Sequence, residues 1–152
     1  MASQLTVDNI IGVTSSDKVH IPGHVMQVVS PYNNTGYTST TSTSYVATTL
    51  SASITPTFTT SKILIIITGG VYQSTGGSGN YAIFRNGANI LNNQIQSQNT
   101  NQWTTQAGVA YDSPASTSSL TYAVYMKTDS NSVYWGGDSP LTNTITLMEI
   151  AQ

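Results

Sequence analysis

The chain has 152 residues, enough for one domain that buries roughly 68 to 70% of its unfolded surface. Only 7% of the residues are charged, the net charge is -2, and the cations Lys18, Lys62, Arg85 and Lys127 are scattered, which argues against nucleic acid or anionic lipid as a partner. There is no Cys, so stability must come from packing and association, and no apolar run approaches the roughly 18 to 20 residues of a membrane helix.

Residues 1–22 form a short patterned arm, broken by Gly12 and closed by Pro22, too small to bury a core of its own. Its apolar residues Leu5, Val7, Ile10 and Ile11 are candidates for docking on a larger assembly. The start lacks a cationic segment followed by a 7 to 15-residue apolar core of the secretory type, so the product is expected to stay in the cytosol that makes it. Residues 23–152 read as one head domain, with strands expected near 24–30, 37–48, 50–55, 62–73, 80–86, 88–95, 103–112, 119–128, 131–136 and 142–150. No segment carries a 3.6-residue repeat, and the spacing of turn residues is that of an all-β sandwich.

Within that order, "TGYTSTTSTSY" (35–45) reads as strand, since Thr is β-branched and uncharged, or else as low-complexity linker. The run Ile63 to Ile67 offers apolar side chains to both faces of its sheet. Ile63, Ile65 and Ile67 are therefore expected at a subunit interface, with cover by a loop or the arm as the alternative. "STGGSGN" (74–80) reads as a mobile loop, and Asn86-Gly87 between two β-rich runs predicts a hairpin with a type I′ turn.

Catalytic chemistry is sparse. The carboxylates Asp112, Asp129 and Asp138 stand in turn contexts that favour backbone hydrogen bonding, "GGSGN" fails the nucleophile-elbow pattern at Asn80, and the same loop lacks a phosphate-binding Lys. No enzymatic activity and no cofactor are expected. His20 and His24 flank "IPG" and cannot chelate as a helical pair; they read as turn or interface residues, or as ligands only if copies meet on an axis. Asp129 to Asn131 and Asp138 could supply oxygens to Ca²⁺, but in no recognised loop spacing, so no metal site is assigned. "NNT" at Asn33 matches a glycosylation sequon, which is irrelevant if the host is bacterial. Aromatic residues among small and amide side chains carry the better binding signal: Trp103, Tyr134, Trp135 and Asp138 are candidate receptor contacts, able to stack on a sugar face and bond its hydroxyls. Each Trp could instead fill the core.

Five segments carry a resemblance: "DKVHIPGHVMQVV", "ASITPTFTTSKILIIITG", "YAIFRNG", "DSPASTSSLTYAVYMKT" and "ITLMEIA". Together, over roughly residues 18–152, they resemble the C-terminal domains of phage tail-fibre and related virion appendage proteins, especially those of aquatic phages. The resemblance implies a homotrimeric jelly-roll β-sandwich similar to tumour-necrosis-factor-like domains, with one sheet of each protomer around a threefold axis. It further implies a virion protein, assembled in the host cytoplasm, whose partners are other tail, baseplate or capsid proteins and a host surface glycan or protein. The head is expected to begin almost at the first residue without the shaft of a long fibre, which leaves a capsid decoration protein as the alternative to a tail-fibre knob, and a free carbohydrate-binding lectin is a third reading.

Overall fold

The computed structural model describes residues 10–11, 19, 21–33, 36–74, 76–98, 101–137 and 142–152. Its elements are β1 (Val25–Val29), β2 (Tyr32–Asn33), β3 (Tyr37–Thr40), β4 (Val46–Ile54), β5 (Lys62–Gln73), β6 (Ser78–Arg85), β7 (Ala88–Gln98), β8 (Thr104–Asp112), β9 (Leu120–Thr128), β10 (Val133–Gly136) and β11 (Asn143–Ile150). Among the described residues there are strands and no helix, and every pairing is antiparallel, so the all-β expectation holds.

Two sheets face each other. The first is built on β5, whose residues Ile63 to Thr68 each pair with β11 on one edge and β8 on the other. Val71 pairs with both β10 and β8, so β10 continues the edge begun by β11. β1 and β2 lie beyond β11, and β3 lies beyond β10. The second sheet runs β4-β9-β6-β7. Between them sits one apolar cluster that takes Ile63, Ile65, Ile67, Val71, Trp135, Ile145 and Leu147 from the first sheet and Leu50, Ile54, Tyr81, Ile83, Tyr122, Val124 and Met126 from the second. Alternation does this directly: in β9 and β11 every second residue is buried and its neighbours are not.

Polar groups tie the layers at the ends. Across one end, Arg85 Nη1 on the second sheet meets Asp112 Oδ2 on the first at 2.5 Å, and the Tyr122 hydroxyl donates to the same oxygen at 2.7 Å. Burial and the Asp112 carboxylate both push the Tyr122 phenol well above its usual range. Glu149 is fully buried, and among the described residues it forms no ion pair. Its carboxylate accepts from Gln27 Nε2 (2.6 Å), the Thr57 amide (2.6 Å), Thr57 Oγ1 (3.1 Å), the Phe58 amide (3.4 Å) and Ser61 Oγ (2.7 Å). Burial opposes its ionisation, but these hydrogen bonds outweigh it and hold its pKa below the ordinary value. One side chain thus fixes the 55–61 loop, β1 and the last strand to each other.

Several expectations need adjustment. The strand expected over 37–48 breaks after Thr40, where hydroxyls replace the ladder: the Ser42 amide donates to Thr40 Oγ1 (3.0 Å), Ser42 Oγ to Ser44 O (2.8 Å), and the Ser44 amide to Ser42 Oγ (3.0 Å). There the chain passes from the first sheet to the second. β4 then runs unbroken to Ile54, past a register shift between Ala47 and Ser51 where Thr48 Oγ1 donates to Val124 O at 2.9 Å. The Asn86-Gly87 hairpin is present, with φ 49° and 80° at the two turn residues. The glycine-rich 74–80 segment, read as a loop, gives its last three residues, Ser78 to Asn80, to β6, and its described residues are hydrogen-bonded to the 129–130 turn: the Ser78 amide and hydroxyl both donate to Asp129 at 2.6 Å, and Ser130 Oγ donates to Gly76 O at 2.6 Å. A side chain at Gly77 would collide with the Ser130 carbonyl.

Candidate functional site

The parity of β5 decides which residues a partner could reach. Ile63, Ile65 and Ile67 point inward and are 0% exposed within a single protomer, so the expectation that they form a subunit interface is corrected: the opposite sheet covers them. Leu64 and Ile66 take the outer face and are half-buried. Directly paired residues share a face, which places Tyr111 and Val109 beside them on β8 and Met148 and Thr146 beside them on β11. Val28, paired with Met148, extends the row onto β1. Val28, Val109 and Tyr111 are 53%, 57% and 62% exposed, high for side chains of this kind.

The same face ends in an aromatic cluster. Tyr134 pairs with Tyr72 across β10 and β5, and Tyr37 stands opposite Gly136. Their ring centroids lie 5.2 Å apart for both Tyr37–Tyr134 and Tyr72–Tyr134, each edge-on. Trp103, just before β8, closes the group at 5.5 Å from Tyr72, 6.0 Å from Tyr37 and 6.1 Å from Tyr134. The Tyr72 hydroxyl donates to Asn101 Oδ1 at 2.5 Å. Trp103 and Tyr37 keep substantial exposure.

From β1 to the aromatic group, the outer side chains of β5, β8 and β11 are apolar, hydroxyl or glycine, and Lys62 at the margin is the one charge they carry. Such a face has nothing to repel a second apolar surface and little to hold water.

The remaining sequence candidates fall out as follows. Trp103 and Tyr134 are accessible and lie together on this face. Trp135 is not a surface residue: it is 1% exposed, packs on Tyr81 at 5.2 Å, and occupies the space left by Gly69, where a Cβ would come within 2.5 Å of Trp135 Cζ2. Its place as a receptor contact is therefore corrected to core. Asp138, Leu5, Val7 and His20 lie outside the described residues, whereas Ile10, Ile11 and His24 are described and exposed. Asp112 and Asp129 are engaged in the structural hydrogen bonds given above. No cluster of three or more His, Cys, Asp or Glu able to hold a metal occurs among the described residues. Sequence reasoning missed Tyr37, Tyr72, Val109 and Tyr111. The alternation Val109-Ala110-Tyr111 is the signal that could have found two of them, since small residues inside leave the large ones outside. No family model matches the chain, and no match was found among curated proteins.

Proposed function

We propose that the chain is a homotrimeric jelly-roll knob of a phage virion, docked on the particle and contacting the host surface, with the outer face of the first sheet turned toward the other protomers. The observation that carries this reading is that face: nearly uncharged from β1 to the aromatic cluster, with Val28, Val109 and Tyr111 open to water in the lone protomer. A surface of that kind is an association or aggregation site unless it is covered. Strand order supports the jelly roll. Counting β1, β4, β5, β6, β7, β8, β9 and β11 as the principal strands, one sheet runs first-eighth-third-sixth and the other second-seventh-fourth-fifth, the order that paired Greek keys give. The virion setting rests on the sequence resemblance.

In this reading Leu64, Ile66, Val109, Tyr111 and the Tyr37–Tyr72–Trp103–Tyr134 group form the interface, and Trp103 and Tyr134 serve assembly rather than the receptor. Three heads on one axis bind as a unit, worth about 10² to 10⁴ in avidity when geometry permits. Light scattering should give three times the protomer mass, and purified trimer should compete with particles for adsorption. A stable lone protomer would overturn the trimer, and undiminished infection at saturating trimer would overturn host contact.

A further inference from the structure

The second sheet has its own surface feature. On its outer face Asn80, Ala82 and Phe84 of β6 are direct register partners of Lys127, Tyr125 and Ala123 of β9. Phe84 and Tyr125 stack with centroids 3.9 Å apart and planes 17° from parallel, and Tyr45, from the loop before β4, meets Phe84 edge-on at 5.5 Å. The Lys127 ammonium lies 4.8 Å from the centre of the Tyr45 ring. Beside it, Gln96 Nε2 donates to Asn80 Oδ1 at 3.1 Å. All three rings are half-buried and Gln96 is exposed, so the group borders on water.

Among the described residues Lys127 has no carboxylate within ion-pair distance, since Arg85–Asp112 is the one salt bridge formed. An ammonium held over a ring at the end of an aromatic row, next to a pair of side-chain amides, is arranged for a ligand that is at once flat and apolar, rich in hydroxyls, and negative. The geometry points to an acidic polysaccharide: C–H faces of its sugars against the rings, hydroxyls on the Asn80 and Gln96 amides, and a carboxylate on Lys127. Single-stranded nucleic acid fits less well, because tracking a phosphate backbone takes a row of cations and this patch has one. The assignment rests on the reading above in one respect: with the first sheet's outer face covered by copies, this is the broad face left toward the host.

The test is titration of the full chain with polygalacturonate, dextran and oligothymidylate, using the wild type and the variants Lys127→Gln, Lys127→Arg and Tyr125→Ala, with folding and mass checked on every sample. Polygalacturonate should bind in preference to dextran, Lys127→Gln should weaken it about tenfold to a hundredfold, Lys127→Arg should retain most of it, and Tyr125→Ala should weaken it about tenfold. No binding of polygalacturonate, binding indifferent to Lys127→Gln, equal binding of dextran, or preference for oligothymidylate would each overturn the assignment. Light scattering separates this from failure of the assembly reading, because a monomer would sink the trimer while leaving this face open and the titration decisive.

Discussion

The two sheets share an interior and differ on their outsides. Both give alternate residues to one core, yet the outer side of the first shows Val28, Leu64, Ile66, Val109 and Tyr111, while that of the second shows Ser51, Ser53 and Thr121, with one aromatic group beside Lys127. Ser53 and Thr121 even bond each other across the strands, hydroxyl to hydroxyl at 2.8 Å. An exposed sheet face in water normally carries hydroxyls, amides and charges. The second sheet obeys that rule and the first does not, which is why the first is read as the covered face.

The sharpest way to break this comparison is to place a charge on adjacent residues of one strand. Ile65→Asp puts an unpaired carboxylate in the core and should cost about 4 kcal/mol or more, enough to abolish cooperative folding measured by circular dichroism. Ile66→Asp, one residue along, should leave the protomer folded while weakening each contact of the proposed trimer by about 3 kcal/mol, more than a hundredfold in association measured by light scattering. A Ser51→Lys control on the second sheet should change neither. If Ile66→Asp remains trimeric, the outer face of the first sheet is not the interface.

Two smaller effects sharpen the picture of the frame that holds the faces in register. Glu149→Gln should cost about 1 to 3 kcal/mol, because it replaces an acceptor of several short hydrogen bonds by a weaker one. The sign of its pH dependence is fixed by its depressed pKa: the native state holds the proton more weakly than the unfolded chain, so the stabilisation is complete above the ordinary value of 4.5 and is lost as pH falls through the folded value. Denaturation midpoints of the wild type should therefore drop on acidification in that range, and those of Glu149→Gln should drop less. Smallest of all, Gly87→Ala at φ 80° should cost about 1 kcal/mol by thermal denaturation, since an L side chain strains the turn.

Most of the strand pattern was legible in the sequence. The hairpin at Asn86-Gly87 and the alternation of "LTYAVYMKT" are local signals, and local signals survive folding when the tertiary structure agrees with them. The Ser/Thr segment misled because its residues suit a strand and a hydroxyl-bonded turn equally, and only the need to cross between sheets favours the turn at 41–45. The candidate site was less legible. A period of two tells that Ile63 and Leu64 face opposite ways, but not which way is inward, and Trp135 beside Tyr134 poses the same choice.

By itself the sequence determined an all-β chain, its turns and the presence of an apolar strand with grease on both sides. Only the tertiary structure decided the inward parity, joined Tyr37, Tyr72 and Tyr134 from three strands and Trp103 from the segment before β8 into one group, and left Leu64 and Ile66 half-buried on the outer face of the first sheet. The reason is physical: alternation is set by the backbone of each strand, whereas the direction of burial is set by which face of the sheet the other sheet occupies.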